Sequence, residues 1–359
     1  MAALDTAGKP RPCAEPEEPS LTLRISGFDI PTRSVTAFCA RSHKDLRNKK
    51  LVLHIVSIVT TRKETDVEHQ LWKAILILLK QASKRRRRTR ERYGADDIVQ
   101  VWLWAVLHGR PVSWACDLRN WPLHERRRKL PSSSTMSRRL RSAEVQQLLQ
   151  EIERSELAPR GNKPLYWMID GKPLPIGGCS KDRQAGYGRA AGCKAKGYKL
   201  HAVVGSDGSI AAWRVAPMQK DERAMGRRML KQAAVQGYLL ADANFDSNQL
   251  HDVCLERGVQ LVAPPRYGFG RRRGHRRQSP ARLRSLELLS NPQSSFGRAL
   301  HQERNAIERY FGYLSTWSAG LQALPAWVRG HRRVHRWVQG KLIFTALRRR
   351  CQKTTYVTR

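Results

Sequence analysis

Apolar positions fall in two regimes along the chain. Before residue 155 they recur at helical spacing. Ile98, Val101, Trp102, Ala105 and Val106 mark one face of a helix, with Asp96 or Asp97 as its cap, and Gly109-Arg110-Pro111 closes it. Val112 to Leu118 gives a second short helix, and Pro131 to Arg141 a third, opened by hydroxyl residues and carrying Arg138, Arg139 and Arg141 on its next turn. Two longer apolar runs, Leu51 to Val59 and Leu71 to Leu79, are about half the ~18–20 residues of a spanning helix and are flanked by charge, so they read as buried elements.

After a composition change around Leu157 to Asn162 the pattern becomes that of an α/β domain. Leu165 to Ile169 reads as a short buried strand. Tyr198 to Val204 and Ile210 to Val215 flank Ser206-Asp207-Gly208-Ser209, a hairpin signal. A helix over Asp221 to Gln236, a strand over Tyr238 to Ala241, a helix over Asn248 to Arg257 and a strand over Gln260 to Ala263 follow. Residues 266–299 read as a flexible basic insertion, and 300–348 as helical. The expected plan is an irregular segment 1–44, a mainly helical region 45–155, an α/β domain 160–348 and a basic tail 349–359, with no internal repeat.

Charge narrows the partner. Lys and Arg number 67 against 30 Asp and Glu, a net charge of +37. That self-repulsion argues for a polyanionic partner, and DNA fits it better than a membrane surface. Basic runs stand at 84–88, 126–129, 271–273 and 348–350. The Ser/Thr-led helix with Arg138 and Arg139, just after the second run, suits phosphate and base contact. Arg271 and Arg272 in the insertion, and Lys196 and Lys199 in a Gly/Lys-rich stretch read as a loop at a site mouth, are further DNA-contact candidates. No signal peptide is read at the start, and the scattered cysteines, without a C-x-x-C pair, indicate neither a disulfide framework nor a zinc site, so reduced thiols in a cytoplasmic protein are expected. No G-x4-G-K-[ST] loop occurs.

Candidate chemistry rests on three acids. Asp170 ends the run 165–169, Asp242 ends the run 238–241, and Glu308 lies in the helical stretch 304–311. Each alone is ordinary: an Asp at a strand end forms turns, and a Glu on a helix faces solvent. Together, two strand-end carboxylates and one helical carboxylate can converge on a pair of divalent cations and perform in-line phosphoryl transfer. Asp221 and Asp246 read as capping or supporting acids. Of Trp317, Trp327 and Trp337, at least two are expected to pack helices, the alternative being stacking on bases.

Over roughly residues 130 to 348 the chain resembles the DDE transposases of bacterial insertion sequences, in the group whose third motif reads Y-x2-R-x3-E-x6-K. Met168-Ile169-Asp170-Gly171 matches the first motif, Lys196 to His201 the Lys-Gly-Tyr-Lys-Leu-His strand, Leu240-Ala241-Asp242-Ala243-Asn244-Phe245-Asp246 the second motif, and Arg304 with Glu308 the third. Two positions depart: His301 stands where the motif has Tyr, and Ser315 where it has Lys. The resemblance implies a ribonuclease-H-like mixed sheet flanked by helices, with Asp170 on the central strand, Asp242 on its neighbour and Glu308 on a helix crossing the sheet. It also implies two Mg2+ ions, with Mn2+ as substitute, held by Asp170, Asp242 and Glu308, and Arg304 on the scissile phosphate. Cleavage at inverted-repeat ends of double-stranded DNA and strand transfer into target DNA, by a homodimer at the bacterial nucleoid, complete the expectation. An inactive or domesticated DNA-binding relative, a metal-dependent nuclease of the same fold and a non-catalytic basic architectural protein stay open as alternatives.

Overall fold

The computed structural model describes residues 22–25, 28–31, 67–83, 91–123, 129–160, 163–190, 192–267, 278–317 and 320–357. The expected element over Leu51 to Val59 and the basic runs 84–88 and 271–273 lie outside them, as does most of the run 126–129. The chain divides into two units, Met1–Thr65 and Asp66–Arg359. In the first, where the sequence reads as irregular, β1 (Thr22–Ile25) and β2 (Phe28–Pro31) pair as an antiparallel hairpin.

The second unit begins with helices. α1 (67–83) buries Leu71, Trp72, Ile75 and Leu79, spaced along one face. α2 (Ala95–Leu107) is apolar nearly all round and is correspondingly enclosed. Its cap is Gly94 rather than an aspartate; Asp97, at the third helical position, accepts the Gly94 N–H at 3.0 Å, which satisfies one of the donors a helix start leaves open. α3 (Val112–Ala115), α4 (Ser133–Arg139) and α5 (Ala143–Leu157) follow, the last two capped by Ser132 and Ser142.

The sheet comes next: β3 (Tyr166–Pro175), β4 (Gly186–Ala190), β5 (Cys193–Gly205), β6 (Ile210–Pro217), β7 (Gly237–Leu240) and β8 (Val259–Val262). β6, β5 and β3 are antiparallel neighbours; β3, β7 and β8 are parallel, so the main sheet runs β6-β5-β3-β7-β8 with β3 central. This is a mixed sheet flanked by helices, consistent with a ribonuclease-H-like domain. β4 pairs only the N-terminal half of β5, and with it forms a ribbon where the sequence reads as a loop.

Side chains alternate across this sheet. Trp167, Ile169, Val203, Leu239 and Leu261 face one side, under α6 (Glu222–Leu230) and α7 (Asn248–Glu256) with their Met229, Leu230, Leu250 and Cys254. Met168, Leu200, Ala202, Val204 and Leu240 face the other, in one core with the N-terminal helices and with α10 (Asn305–Ser315). α11 (His331–Val357) packs on α2, α5 and β6, so the last helix of the second unit completes the helical layer built where that unit begins. Glu153, part-buried where α5, β6 and α11 meet, accepts the Trp213 Nε1–H and the Gln339 Nε2–H, each at 2.6 Å. Burial raises its pKa against those two bonds.

The described residues 278–299 of the stretch read as a flexible insertion are mainly helical. α8 (Pro280–Ser290) packs on β8 and α7 through Ala281, Ser285, Leu286 and Leu289, and α9 (Phe296–Gln302) follows. Its helical spacing of small and apolar residues was masked by the intervening arginines. Among the described residues no helix is long and apolar enough to cross a membrane.

Gly197 shows why one motif residue is fixed. It lies where β5 leaves β4 for β3, and a Cβ there would meet the Leu174 carbonyl oxygen at 2.3 Å and Pro175 Cα at 2.9 Å. Backbone cannot retreat as a side chain can. Gly197→Ala is therefore expected to destabilise the domain by about 3 kcal/mol, the upper part of the overpacking range, read as a fall in the urea midpoint. An unchanged midpoint would contradict this crossing.

Candidate active site

Two of the acids meet by strand register. β3 and β7 are parallel with Met168 opposite Leu240, so Asp170 and Asp242 each stand two residues beyond the same rung: Asp242 just past the end of β7, Asp170 midway along β3, where its pairing with β7 stops. Adjacent strands are ~4.8 Å apart, and Asp242 acts on Asp170 electrostatically. The Asp170 carboxyl is pushed up to about 6, first by burial and then by the charges of Asp242 and Glu222; the Gly171 N–H, bonded to Asp170 Oδ1 at 2.7 Å, and Arg304 oppose the shift. Asp242 caps the short turn Ala243–Phe245, accepting the Asn244 N–H at 3.0 Å and Asn244 Nδ2 at 3.1 Å.

The third acid approaches from α10. Ile307, Tyr310, Phe311 and Leu314 bury one stripe of that helix, and α10 packs against β3. Asp170 shares the parity of Met168 and so points to the α10 side of the sheet. Glu308 stands beside the buried stripe and is 61% exposed. Its Oε1 accepts Arg304 Nη2 at 2.9 Å, one turn earlier on the helix. Arg304 thus acts on Glu308 by a direct bond and on Asp170 through space. Among the described residues no three His, Cys, Asp or Glu side chains stand close enough together to hold a metal ion. The Asp170–Asp242 pair fits a hard cation by its donor chemistry, while Glu308 is turned to Arg304.

The remaining sequence candidates have varied surroundings. Arg138 is exposed on α4. Arg139 differs from the expectation of a DNA contact: its side chain is 11% exposed, ion-paired with Glu91 and with Glu144, so the guanidinium joins α4 to its own neighbours. Lys196 donates to the Ser180 carbonyl at 2.6 Å. Lys199 is paired with Glu222 at 2.6 Å, both side chains under a fifth exposed. Arg271 and Arg272 lie outside the described residues. Asp221 caps α6, accepting the N–H groups of Arg223 and Ala224, and its pKa falls to about 2, mainly through the Arg223 side chain. Trp317 and Trp337 are buried and Trp327 is exposed.

The two motif departures have structural employment. His301 Nε2 lies 3.0 Å from the Ala241 carbonyl, tying α9 to the residue before Asp242. Ser315 Oγ donates to Phe311 O at 2.8 Å within α10.

Sequence reasoning missed what lies behind Asp170. Gly171 has no side chain, and the Lys199–Glu222 pair and His201 occupy the space it leaves: a Cβ there would meet Lys199 Cδ at 2.7 Å, Glu222 Oε1 at 3.1 Å and His201 Nδ1 at 3.3 Å. His201 is fully buried with neither ring nitrogen hydrogen-bonded; burial, then Lys199, lowers its pKa to about 4 and keeps the ring neutral. The alternation of Lys199 and His201 along a strand was a usable signal. Glu222 was hidden, because Asp221-Glu222 reads as a helix start.

A mixed sheet with two part-buried aspartates standing where the parallel pairing of adjacent strands stops is the frame of a phosphoryl-transfer domain. The chain belongs to the transposase DDE domain family, whose model matches residues 166–345, from the first residue of β3 into α11. No curated protein matches the chain. Membership implies DNA as the partner, and such domains typically use divalent metal.

Proposed function

We propose that this protein is a DNA transposase that cleaves the ends of its element and joins them to target DNA, with Asp170, Asp242 and Glu308 as its catalytic carboxylates. The observation that carries the reading is the register that sets Asp170 beside Asp242, with Arg304 bonded to Glu308 and acting on Asp170 through its charge. Asp170 and Asp242 supply carboxylate oxygens of the kind Mg2+ or Mn2+ takes. Bound there, such ions lower the pKa of a water or a DNA 3′-hydroxyl and stabilise the departing oxygen. The protein's own part is positional. Arg304 exchanges Glu308 for the scissile phosphate, a charge-assisted bond of the same kind, and Glu308 is thereby released toward the aspartates. Asp242 is held by its Asn244 contacts, and His301 steadies the strand end from behind. A homodimer holding two ends completes the reading.

The test is a reaction of a labelled duplex carrying the element's ends with a target plasmid and Mg2+. Joined products support a transposase. Cut ends without joining would reduce the protein to a nuclease of the same fold. A DNA-binding relative has one observation in its favour, the replacement of the motif Tyr and Lys by His301 and Ser315; it requires binding with neither cutting nor joining.

A further inference from the structure

An arginine-rimmed groove lies among the helices. α11 begins at His331, and its first turns carry Arg332, Arg333 and Arg336; Arg110 follows α2, and Arg141 follows α4. These five line a cavity of about 720 Å³, with the indole of Trp327, 42% exposed, at its side. Arg110, Arg141, Arg332 and Arg333 have no carboxylate partner among the described residues, and Arg336 donates only to the Leu140 carbonyl, at 3.1 Å. Other arginines of this protein are matched: Arg139 with Glu91 and Glu144, Arg282 with Asp246, Arg304 with Glu308. Burial and the charges of Arg141, Arg333 and Arg332 hold Arg336 below its ordinary value, so the cations feel one another. Gathering unmatched like charges costs stability unless a polyanion is received there.

The groove is preformed. The Gly330 N–H donates to Asp182 Oδ2 at 2.7 Å, the His331 N–H to Gln184 Oε1 at 2.6 Å, and Arg329 Nη2 to the Ile176 carbonyl at 3.2 Å. The start of α11 is thus fixed to the segment between β3 and β4. On the facing wall α4 presents Ser133 and Ser137, short hydroxyls that donate to phosphate oxygens. The acids of the candidate active site are not among its lining residues.

We infer that this groove is a second DNA-binding surface, in which Arg110, Arg141, Arg332, Arg333 and Arg336 grip the phosphodiester backbone of duplex DNA away from the carboxylate site. The inference rests on the DNA-transposase reading and adds to it a surface formed jointly by the N-terminal helices and the chain's last helix. Arg139, paired within the protein, is replaced as the phosphate-binding residue of this region by Arg141 and the α11 arginines.

The experiment is binding of a fluorescent 30-base-pair duplex to the full chain across a salt series. The variant is Arg141→Ser/Arg332→Ser/Arg333→Ser, and the charge-matched control Lys73→Ser/Lys80→Ser/Lys231→Ser, all exposed in the wild type. The groove variant is expected to bind on the order of 10–100-fold more weakly. Its slope of log K against log salt should be smaller by about 2–3, close to one unit for each phosphate that is no longer neutralised. The control should move far less. Because the three arginines repel one another, the groove variant should melt at the same temperature as the wild type or higher at low salt, which separates a binding defect from a folding defect. Equal losses of affinity in variant and control would overturn the groove as a site while leaving the transposase reading intact. A wild-type chain that binds no duplex would overturn that reading, and the groove with it.

Discussion

Replacing Asp170 or Asp242 by Asn is expected to lower DNA cleavage on the order of 10³-fold, about 4 kcal/mol of transition-state stabilisation. Duplex binding should change little, because the arginine groove and the basic surface are untouched. The size follows from the chemistry: asparagine keeps the volume and one oxygen but loses the anionic donor that a hard cation requires. The effect on folding has the opposite sign. Asp170 is part-buried beside Asp242 and Glu222, and its carboxyl is raised to about 6, so its ionised form strains the metal-free protein. Asp170→Asn removes that strain and is expected to leave the metal-free melting temperature at neutral pH unchanged or higher. Gel cleavage assays beside calorimetry check both halves. Retained cleavage in either variant would remove these residues from the site.

The largest expected effect on stability lies at Asp246. Its side chain is 2% exposed, and its two oxygens take Arg282 Nε and Nη2, each at 2.7 Å, together with the Arg266 N–H at 3.1 Å and a contact to buried His251 at 3.4 Å. Burial works against the charge, but the Arg282 and Arg266 bonds and the His251 contact outweigh it and hold the carboxyl far below the usual carboxylate range. This pair ties α8 to the turn after Asp242. Asp246→Asn leaves the Arg282 cation without its counter-charge, which costs about 3–5 kcal/mol and lowers the melting temperature by roughly 6–20 °C. Adding Arg282→Met should restore part of the loss, since an apolar replacement of both partners is far milder than breaking the pair. The pH dependence has a definite sign. A depressed folded pKa gives stability that is fully present above the unfolded value of ~3.9 and is lost as pH falls below it. The gap between wild type and Asp246→Asn is therefore expected to narrow below about pH 4. A gap constant from pH 7 to pH 3 would contradict the charge pairing.

The parts of this fold that were legible are those where apolar runs end abruptly. β7 and β8 are buried short strands, and β3 opens with a buried run, so Asp170 and Asp242 could be read as acids at the end of apolar runs, although β3 itself continues to Pro175; their equal offset past Met168 and Leu240 then follows from parallel pairing. The β5–β6 hairpin was legible through Asp207-Gly208, where the glycine takes φ 79°. β4 was not: Gly186 to Ala190 is a glycine-containing ribbon buried only at its two ends, with no run of large apolar residues, and its ladder to β5 makes it a strand. Nor could the sequence show that α11 closes the helical layer, since periodicity gives a helix a face but not the partner that covers it. The pairing of Arg139 with Glu91 and Glu144, and of Lys199 with Glu222, depended likewise on tertiary neighbours. A basic residue in a basic chain reads as a nucleic-acid contact until a carboxylate from another element is found beside it.

The most direct test of the DDE reading is Mg2+-dependent cleavage of a labelled duplex bearing the element's own ends, wild type beside Glu308→Ala. Glu308 is the acid the structure leaves exposed and held by Arg304 rather than against the aspartates, so its substitution bears most directly on a three-carboxylate site. Cleavage at the element end by the wild type, abolished in Glu308→Ala with duplex binding retained, is the result expected of a three-carboxylate transposase. Cleavage that survives in Glu308→Ala, or binding without cleavage in both proteins, would contradict it.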